Sequence, residues 1–324
     1  MNTQAQVWLE RVTNRKRKPT KPSTISNWKF ILKKWVLPEF SSLHLAEVNN
    51  LAMKKFVGRL CAAKLSPKTI HNISQLPKMI VASAINEEGE EIYPRKWNAE
   101  FIDMPVVTSQ HQPAVTGDTV SQLMAQAEGQ YQVLFALVAG TGMRAGEALA
   151  LECKHVSEDG RTLTIQQSVW QNQILSLKTA NGIREIDLHP DLSTMLKAFI
   201  GNRTTGLIFH TNTGRPLCQT NVRNRYLYPL LEEAGSHRMG FHSFRRFRTT
   251  HLRKQRAPED LIRFWLGHAN QSITDGYSKL SDDLEFRKKV AESVGLGFEI
   301  ASENSVVVPY SASCTLVPEL VGAV

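Results

Sequence analysis

The segment Thr-Gly-Met-Arg-Ala-Gly-Glu, residues 141–147, places an arginine in a glycine-rich turn that leads into a short helix. The apolar pattern predicts a buried helix over about 130–138 before this turn and a second, short helix from Ala145. A cation at a helix start opposes the positive end of the helix dipole. Arg144 therefore indicates an anionic partner more than an ordinary surface position.

Other chemically active residues follow this segment along the chain. Lys178 ends a predicted strand beside a turn. His242 and Arg245 are three residues apart at a predicted helix start, so they share one face. His268 follows a glycine at a predicted helix end, and Tyr277 lies nine residues further on. Arginine, lysine and histidine around a tyrosine indicate an anion-binding site that contains a nucleophile.

Such a set is suited to phosphoryl transfer. Two guanidiniums can hold a phosphodiester through paired N–H donors, and the reaction needs cations because charge develops on the equatorial oxygens of phosphorus. The sequence has no zinc-protease motif, calcium loop, phosphate-binding glycine loop or serine-hydrolase elbow. We therefore expect neither a metal ion nor an organic cofactor.

Composition agrees with a polyanionic partner. The 324 residues include 39 Lys and Arg against 30 Asp and Glu, a formal net charge of +9. The longest apolar run, 131–139, is too short to span a bilayer, and no signal-peptide segment is present. We expect a cytoplasmic protein without a membrane partner. The four scattered cysteines contain no CxxC pair, which excludes a disulfide scaffold and a zinc ribbon.

The first part of the chain is predicted to be helical. Residues 1–22 are expected to form a basic N-terminal arm, and residues 23–103 a small helical domain. Ser23 or Thr24 would cap its first helix, and Pro38 would stop that helix.

The second part is predicted to be mainly helical with a small antiparallel sheet. A linker over 104–116 precedes this domain, which spans 117–295. Strands over 162–170 and 174–178 would pair across a turn at Gln171-Asn172, and 183–188 would form a third strand.

The C-terminal tail, residues 296–324, contains three acids and no Lys or Arg, and its later part is apolar. Exposed apolar runs of this kind promote aggregation. We therefore expect the tail to dock, either on its own domain or, as we favour, on a neighbouring protomer.

This set of motifs resembles the tyrosine recombinases, or phage-type integrases, over roughly residues 20–295. The TGxRxGE segment, the strand lysine, HxxR, Leu-Gly-His and the tyrosine nine residues later occur in the family's order and spacing. Each motif alone is weak, and the five together are specific. Leu65–Ile70 (LSPKTI) also looks like the family's core-binding domain. The departures are Lys279, where many members have a second histidine, and Arg246, where histidine is frequent; neither removes a catalytic group.

The resemblance implies site-specific DNA strand exchange. Tyr277 would attack the scissile phosphate, and the product would be a 3′-phosphotyrosine with a free 5′ hydroxyl, so no ATP would be needed. The groups that stabilise the charged transition state would be Arg144, Arg245 and His268. Lys178 would protonate the leaving oxygen, with Lys154 as its nearest rival.

Two further roles follow from the resemblance. His242 would act as a base for the tyrosine or as a phosphate donor, because a free tyrosine has a pKa near 10 and is a poor nucleophile. Glu147 would orient an arginine.

Other basic residues are candidate DNA contacts, and they are Arg15, Lys16, Arg17, Lys18, Lys68, Arg246 and Arg248. Residues 15–18 could equally be a solvated tail. The family works as a tetramer, so the resemblance implies a homo-oligomer on double-stranded DNA, with accessory DNA-bending proteins as further candidate partners. Phosphate contacts should make the affinity salt-dependent.

Two other functions remain open. A type IB topoisomerase-like enzyme would use the same cutting and rejoining chemistry without pairing two sites, but the helical domain and linker favour a recombinase. A sequence-specific DNA-binding protein without activity would have lost a catalytic group, and the sequence lacks none of them.

Overall fold

The computed structural model describes residues 1–108, 112–177, 182–268 and 280–300. The chain divides into two compact units, Met1–His111 and Gln112–Val324, and each has its own apolar core. Within the described part of the chain, no helix combines the length and the apolar character needed to cross a membrane.

The first unit is helical. Its helices are α1 (Asn2–Thr13), α2 (Pro22–Ile31), α3 (Leu37–Phe40), α4 (Asn50–Ala62), α5 (Pro67–Ala82) and α6 (Ala99–Ile102). The side chain of Ser66 caps α5 by accepting from the backbone N–H of Thr69, and Pro67 occupies the first helical position, where its missing N–H costs nothing.

The chain start is not the basic arm expected for residues 1–22. Helix α1 buries Ala5 and Trp8 in the core of the first unit, and the Trp8 ring lies 5.1 Å from that of Trp28. The prediction was wrong because the spacing of apolar residues within α1 outweighs the polar composition around it. The basic residues 15–18 come after this helix and are exposed.

The second helix also differs from the prediction. It begins at Pro22, with Lys21 and not Ser23 or Thr24 as the N-cap, because the fixed φ of proline suits a first turn. Pro38 does not stop the helical path. A π-helical turn, Leu32–Val36, leads directly into α3, and Pro38 lies in the first turn of α3.

The second unit is mostly helical, as predicted. Its helices are α7 (Gly117–Gln126), α8 (Gly129–Thr141), α9 (Ala145–Ala148), α10 (Pro190–Ile200), α11 (Gln219–Val222), α12 (Tyr228–Glu233), α13 (His242–Lys254), α14 (Glu259–Leu266) and α15 (Leu284–Ser293). A π-helical turn, Arg223–Leu227, joins α11 to α12. The sequence pattern also predicts a helix over 271–279, and this range lies outside the described residues.

The strands form two small antiparallel pairs within the described residues. Their bounds are β1 (Thr162–Ile165), β2 (Gln167–Trp170), β3 (Gln173–Ser176) and β4 (Arg184–Asp187). The β2–β3 hairpin confirms the predicted turn, since Gln171 and Asn172 both have positive φ. The strand predicted over 162–170 is divided at Gln166, and β1 pairs with β4, Thr162 opposite Asp187.

Helix α8 forms the centre of the second unit. Every residue from Gln132 to Thr141 is buried, and the helix packs against α7, α10 and α13. A helix that is apolar on all sides belongs in a core. Its C-terminal end therefore holds the 141–147 segment on a rigid base.

The described start of the tail packs on its own unit. Leu296 is buried, and the Phe298 ring lies 6.3 Å from that of Phe247 on α13. Residues 296–300 therefore contribute apolar side chains to the core around α8, and the expected docking of the tail on a neighbouring protomer stays a prediction for the residues that follow. Residues 301–324 lie outside the described residues.

Candidate active site

Residues of α9, β2, α11 and α13, with the turn that precedes α9, meet in the second unit. They line a depression of about 300 Å³, whose walls include Arg144, Gly146, Ser168, His242 and Arg245. A Cβ on Gly146 would lie 2.6 Å from the Ser168 hydroxyl oxygen and 2.9 Å from the Val169 carbonyl oxygen. The second glycine of the TGMRAGE segment thus lets α9 pack closely against β2.

Arg245 lies beneath this depression and is only 4% exposed. Its guanidinium donates to the carbonyl oxygen of Gly142 at 2.9 Å, to the carbonyl oxygen of Leu266, and to Nε2 of His268 at 2.8 Å. Burial, followed by the charge of Arg144, lowers the pKa of Arg245 to about 10. The group therefore stays charged at neutral pH and ties α13 to the ends of α8 and α14.

Arg144 and Glu147 form a pair at the start of α9. The Glu147 carboxylate accepts from the backbone N–H and the guanidinium of Arg144, both at 2.9 Å. The carboxylate is 2% exposed, whereas 48% of the Arg144 side chain is exposed. Burial by itself raises the pKa of Glu147, but hydrogen bonds and charge from Arg184, together with Arg144, lower it overall.

The buried Arg184 on β4 was not identified from the sequence. Its guanidinium donates to both oxygens of Glu147, to the carbonyl oxygen of Trp265 at 2.7 Å, and to that of Gly182 at 3.2 Å. A signal was available, because the alternation in β4 places Arg184 in phase with the apolar Ile186 and Leu188. A charge in the apolar phase of a strand needs a buried partner.

Two histidines complete the described part of the site. His242 is exposed at the first position of α13, and His268 is exposed just beyond α14. Each ring is nonetheless partly desolvated by its neighbours, and this desolvation, with nearby arginine charges, lowers the pKa of each. An arginine can only donate, so Nε2 of His268 must accept from Arg245, and the neutral ring carries its proton on Nδ1.

Lys178 and Tyr277 lie outside the described residues. The rival lysine, Lys154, forms an ion pair with Glu152 at 2.7 Å and is not among the residues lining the depression. Within the described ranges, no cluster of three or more His, Cys, Asp or Glu side chains could hold a metal ion.

The candidate DNA contacts fall into two groups. Residues 15–18 and Lys68 are exposed on the first unit. Arg246 is half-buried and donates to the Pro113 carbonyl oxygen at 2.9 Å. Arg248 is 4% exposed and donates to the Gly295 carbonyl oxygen, and burial lowers its pKa to about 10. The prediction that Arg248 contacts DNA is therefore wrong, because the helix turns it towards the C-terminal segment.

Known proteins similar to this chain include a tyrosine recombinase-like protein and two integrases. The tyrosine recombinase XerC-like protein of Caldanaerobacter subterraneus subsp. tengcongensis is 22% identical over 305 aligned positions, and the match covers 82% of this chain and 75% of that protein. The Tn1549 transposon integrase, solved in complex with transposon right end DNA, matches with a TM-score of 0.67 and 16% identity, over 86% of this chain and 99% of that chain. A lambda integrase tetramer bound to a Holliday junction matches with a TM-score of 0.57 and 14% identity, over 86% and 77%.

The family assignment rests on the second unit. The sequence profile of the phage integrase family matches residues 113–283, more than half of the chain. The matched range contains all the motif residues named above, from Arg144 to Tyr277. The chain therefore belongs to the phage integrase family of tyrosine recombinases.

Proposed function

We propose that this tyrosine recombinase cuts and rejoins DNA at specific sites through a 3′-phosphotyrosine formed by Tyr277. The observation that carries the proposal is the depression lined by Arg144, His242 and Arg245, with His268 bonded to Arg245. Among the described residues of the site, the three arginines Arg144, Arg184 and Arg245 outnumber the carboxylate Glu147, so the site suits an anion. The Tn1549 and lambda integrases, which share the fold, were solved with DNA.

The described residues of the site would each contribute differently to the binding of one phosphate. Arg144, with half of its side chain exposed, and the exposed His268 would reach the non-bridging oxygens, while the exposed His242 would face the tyrosine. Arg245 is nearly buried, so it would act chiefly through its fixed charge and by holding His268. Donors that are already in place when charge develops on phosphorus stabilise the transition state without further reorganisation.

The chemical step conserves the energy of the phosphodiester bond. The tyrosine oxygen of Tyr277 forms a bond to phosphorus while the bond from phosphorus to the 5′ oxygen breaks. The phenolic proton goes to His242, whose lowered pKa keeps it neutral and able to accept, and Lys178 protonates the departing 5′ oxygen. Attack by a 5′ hydroxyl on the phosphotyrosine reverses these steps and reseals the strand, so no ATP or metal is required.

The finer features of assembly are also proposals. Exchange between two duplexes uses four tyrosines, so we expect a tetramer on DNA, with accessory DNA-bending proteins as further candidates. Residues 23–103, together with α1, would form the core-binding domain, and residues 117–295 the catalytic domain. Residues 15–18, Lys68 and Arg246 would contact phosphates, and the protein would act on the nucleoid in the cytoplasm.

A nicked suicide substrate tests the proposal. The DNA would be taken from the segments on either side of the gene that encodes this protein, where a recombination site is expected. The products would be separated on a denaturing gel. The wild type should form a covalent protein–DNA adduct, while Tyr277→Phe should bind the same DNA with nearly unchanged affinity and form none. An adduct at the wild-type level in the variant would reject Tyr277 as the nucleophile.

A second assay separates a recombinase from a topoisomerase-like enzyme. Two differently labelled duplexes that carry the site should exchange strands in the presence of the wild type. Adduct formation and relaxation of supercoils without exchange would favour the topoisomerase-like function. Binding without any adduct would favour a DNA-binding protein that lacks activity.

A further inference from the structure

We infer that Arg184 is a positioning residue that neutralises Glu147, so that Arg144 is held in place while its charge remains available to the scissile phosphate. The inference rests on the proposed function and extends it to a residue that contacts no DNA. The Arg184 side chain is 2% exposed, so it cannot itself reach a phosphate.

The Glu147 carboxylate accepts different hydrogen bonds from Arg184 and from Arg144. The Glu147 carboxylate accepts hydrogen bonds from both terminal nitrogens of Arg184, at 3.2 and 2.8 Å. It also accepts hydrogen bonds from the backbone N–H and from one guanidinium nitrogen of Arg144. The buried partner is thus the bidentate one, and the half-exposed partner is held by one guanidinium nitrogen. Arg144 keeps the rest of its guanidinium towards the depression.

The charges explain why a second arginine is needed. A buried carboxylate is costly unless it is paired with a cation. If Arg144 were the partner by itself, the charge of Glu147 would cancel the positive charge of Arg144. Glu147 together with Arg144 is neutral, and adding Arg184 restores one net positive charge. Arg184 therefore lets one carboxylate fix the position of Arg144 without cancelling the attraction of the site for a phosphate.

The remaining bonds of Arg184 reach two other parts of the site. It donates to the carbonyl oxygen of Trp265, next to Leu266, whose carbonyl oxygen accepts from Arg245. It also donates to the carbonyl oxygen of Gly182, four residues after Lys178 in the chain. Replacing Arg184 should therefore disturb the ends of both α9 and α14.

The test compares single and double variants by their rate of adduct formation on saturating suicide DNA. Arg184→Gln should slow the reaction by about 10²-fold, the order expected when a site group is displaced by 1 Å, with little change in DNA affinity. Arg184→Lys, which keeps the charge, should stay within roughly tenfold of the wild type. The double variant Glu147→Gln with Arg184→Gln should react at least about tenfold faster than Arg184→Gln alone, because it removes the uncompensated carboxylate.

A matched control isolates the loss of a structural arginine. Arg203 is half-buried and binds the carbonyl oxygens of Phe199 and Ile200 without lining the depression. Arg203→Gln should lower the midpoint of thermal unfolding while leaving the rate of adduct formation within about threefold of the wild type. A similar loss of rate in this control would mean that the Arg184 effect is generic destabilisation, and would overturn the inference.

The outcomes for Arg184 and for the proposed function can be told apart. A wild type that forms no adduct overturns the proposed function and this inference with it. A reactive wild type whose double variant is no faster than Arg184→Gln overturns the inference alone. If Arg184→Gln does not fold, Arg184→Lys still decides, because a folded lysine variant that loses 10²-fold or more in rate contradicts a role through charge.

Discussion

Replacing Gly142 with alanine should destabilise the second unit through two separate effects. Gly142 ends α8 with φ of 71° and ψ of 11°, in the left-handed region. A Cβ at this position would lie 2.9 Å from Cδ2 of Leu266 and 3.2 Å from Cβ of Arg248. The substitution therefore combines backbone strain with a steric clash between α8, α13 and α14.

The two effects have separate magnitudes. A left-handed conformation costs an L-residue about 1–2 kcal/mol, and forcing an extra carbon into a packed site costs about 1–3 kcal/mol. Gly142→Ala should then lower the free energy of unfolding by about 2–5 kcal/mol. For a unit of this size each kcal/mol shifts the midpoint of thermal unfolding by about 2–4 °C, so we expect a decrease on the order of 10 °C.

Gly235→Ala provides the matched control. Gly235 lies just beyond α12 with φ of 63°, and a Cβ there would meet no atom within 4 Å. Only the strain should remain, so the midpoint of thermal unfolding should fall by about 2–8 °C. Calorimetry on both variants measures the difference, and equal shifts would refute the close packing around Gly142. Because the Gly142 carbonyl oxygen accepts from Arg245, the folded Gly142→Ala protein should also form the DNA adduct more slowly than the control.

Three further outcomes follow from the site. Lys178→Ala should slow cleavage by about 10²–10⁴-fold on normal DNA, the usual span for a general acid, and a bridging 5′-phosphorothioate should restore the rate because a thiolate leaves without a proton; equal slowing on both substrates would point to another acid. Arg248→Met should lower the midpoint of thermal unfolding but leave the salt dependence of DNA binding unchanged, whereas a slope reduced by about one would reveal a phosphate contact. Burial and the charges of Arg245 and Arg144 lower the pKa of His268 in the folded protein. The contribution of His268 to the free energy of unfolding is therefore fully present above the unfolded pKa near 6.5 and is lost as the pH falls through the folded pKa. Urea titrations at pH 5 and 7.5 should show that the free energy of unfolding depends less on pH in His268→Gln than in the wild type, and an unchanged dependence would contradict this assignment.

The sequence was most informative where a motif coincides with a structural necessity. Gly142 is required by a left-handed helix end and Gly146 by close packing, so the TGMRAGE segment defined both the fold around α8 and the position of Arg144. The HxxR spacing placed His242 and Arg245 on one helix, and the hairpin turn at 171–172 followed from its residues.

Long-range contacts account for what the sequence did not indicate. Arg184 acquires its role only when β4 pairs with β1 and approaches α9, and the partner, Glu147, is 37 residues away in the chain. Arg248 has the composition of a DNA contact, but the position of α15 turns it inward to the Gly295 carbonyl oxygen. Helix α1 was missed because its basic neighbourhood concealed the buried pair Ala5 and Trp8.

Identification of the residue that carries the DNA tests the central claim most directly. After reaction with a suicide substrate, nuclease and trypsin digestion should leave a nucleotide on the tryptic peptide 264–279, in which Tyr277 is the single tyrosine. Mass spectrometry should find a nucleotide joined through its 3′-phosphate to Tyr277 and to no other tyrosine. The same adduct on the peptide that contains Tyr226 and Tyr228 would contradict the account.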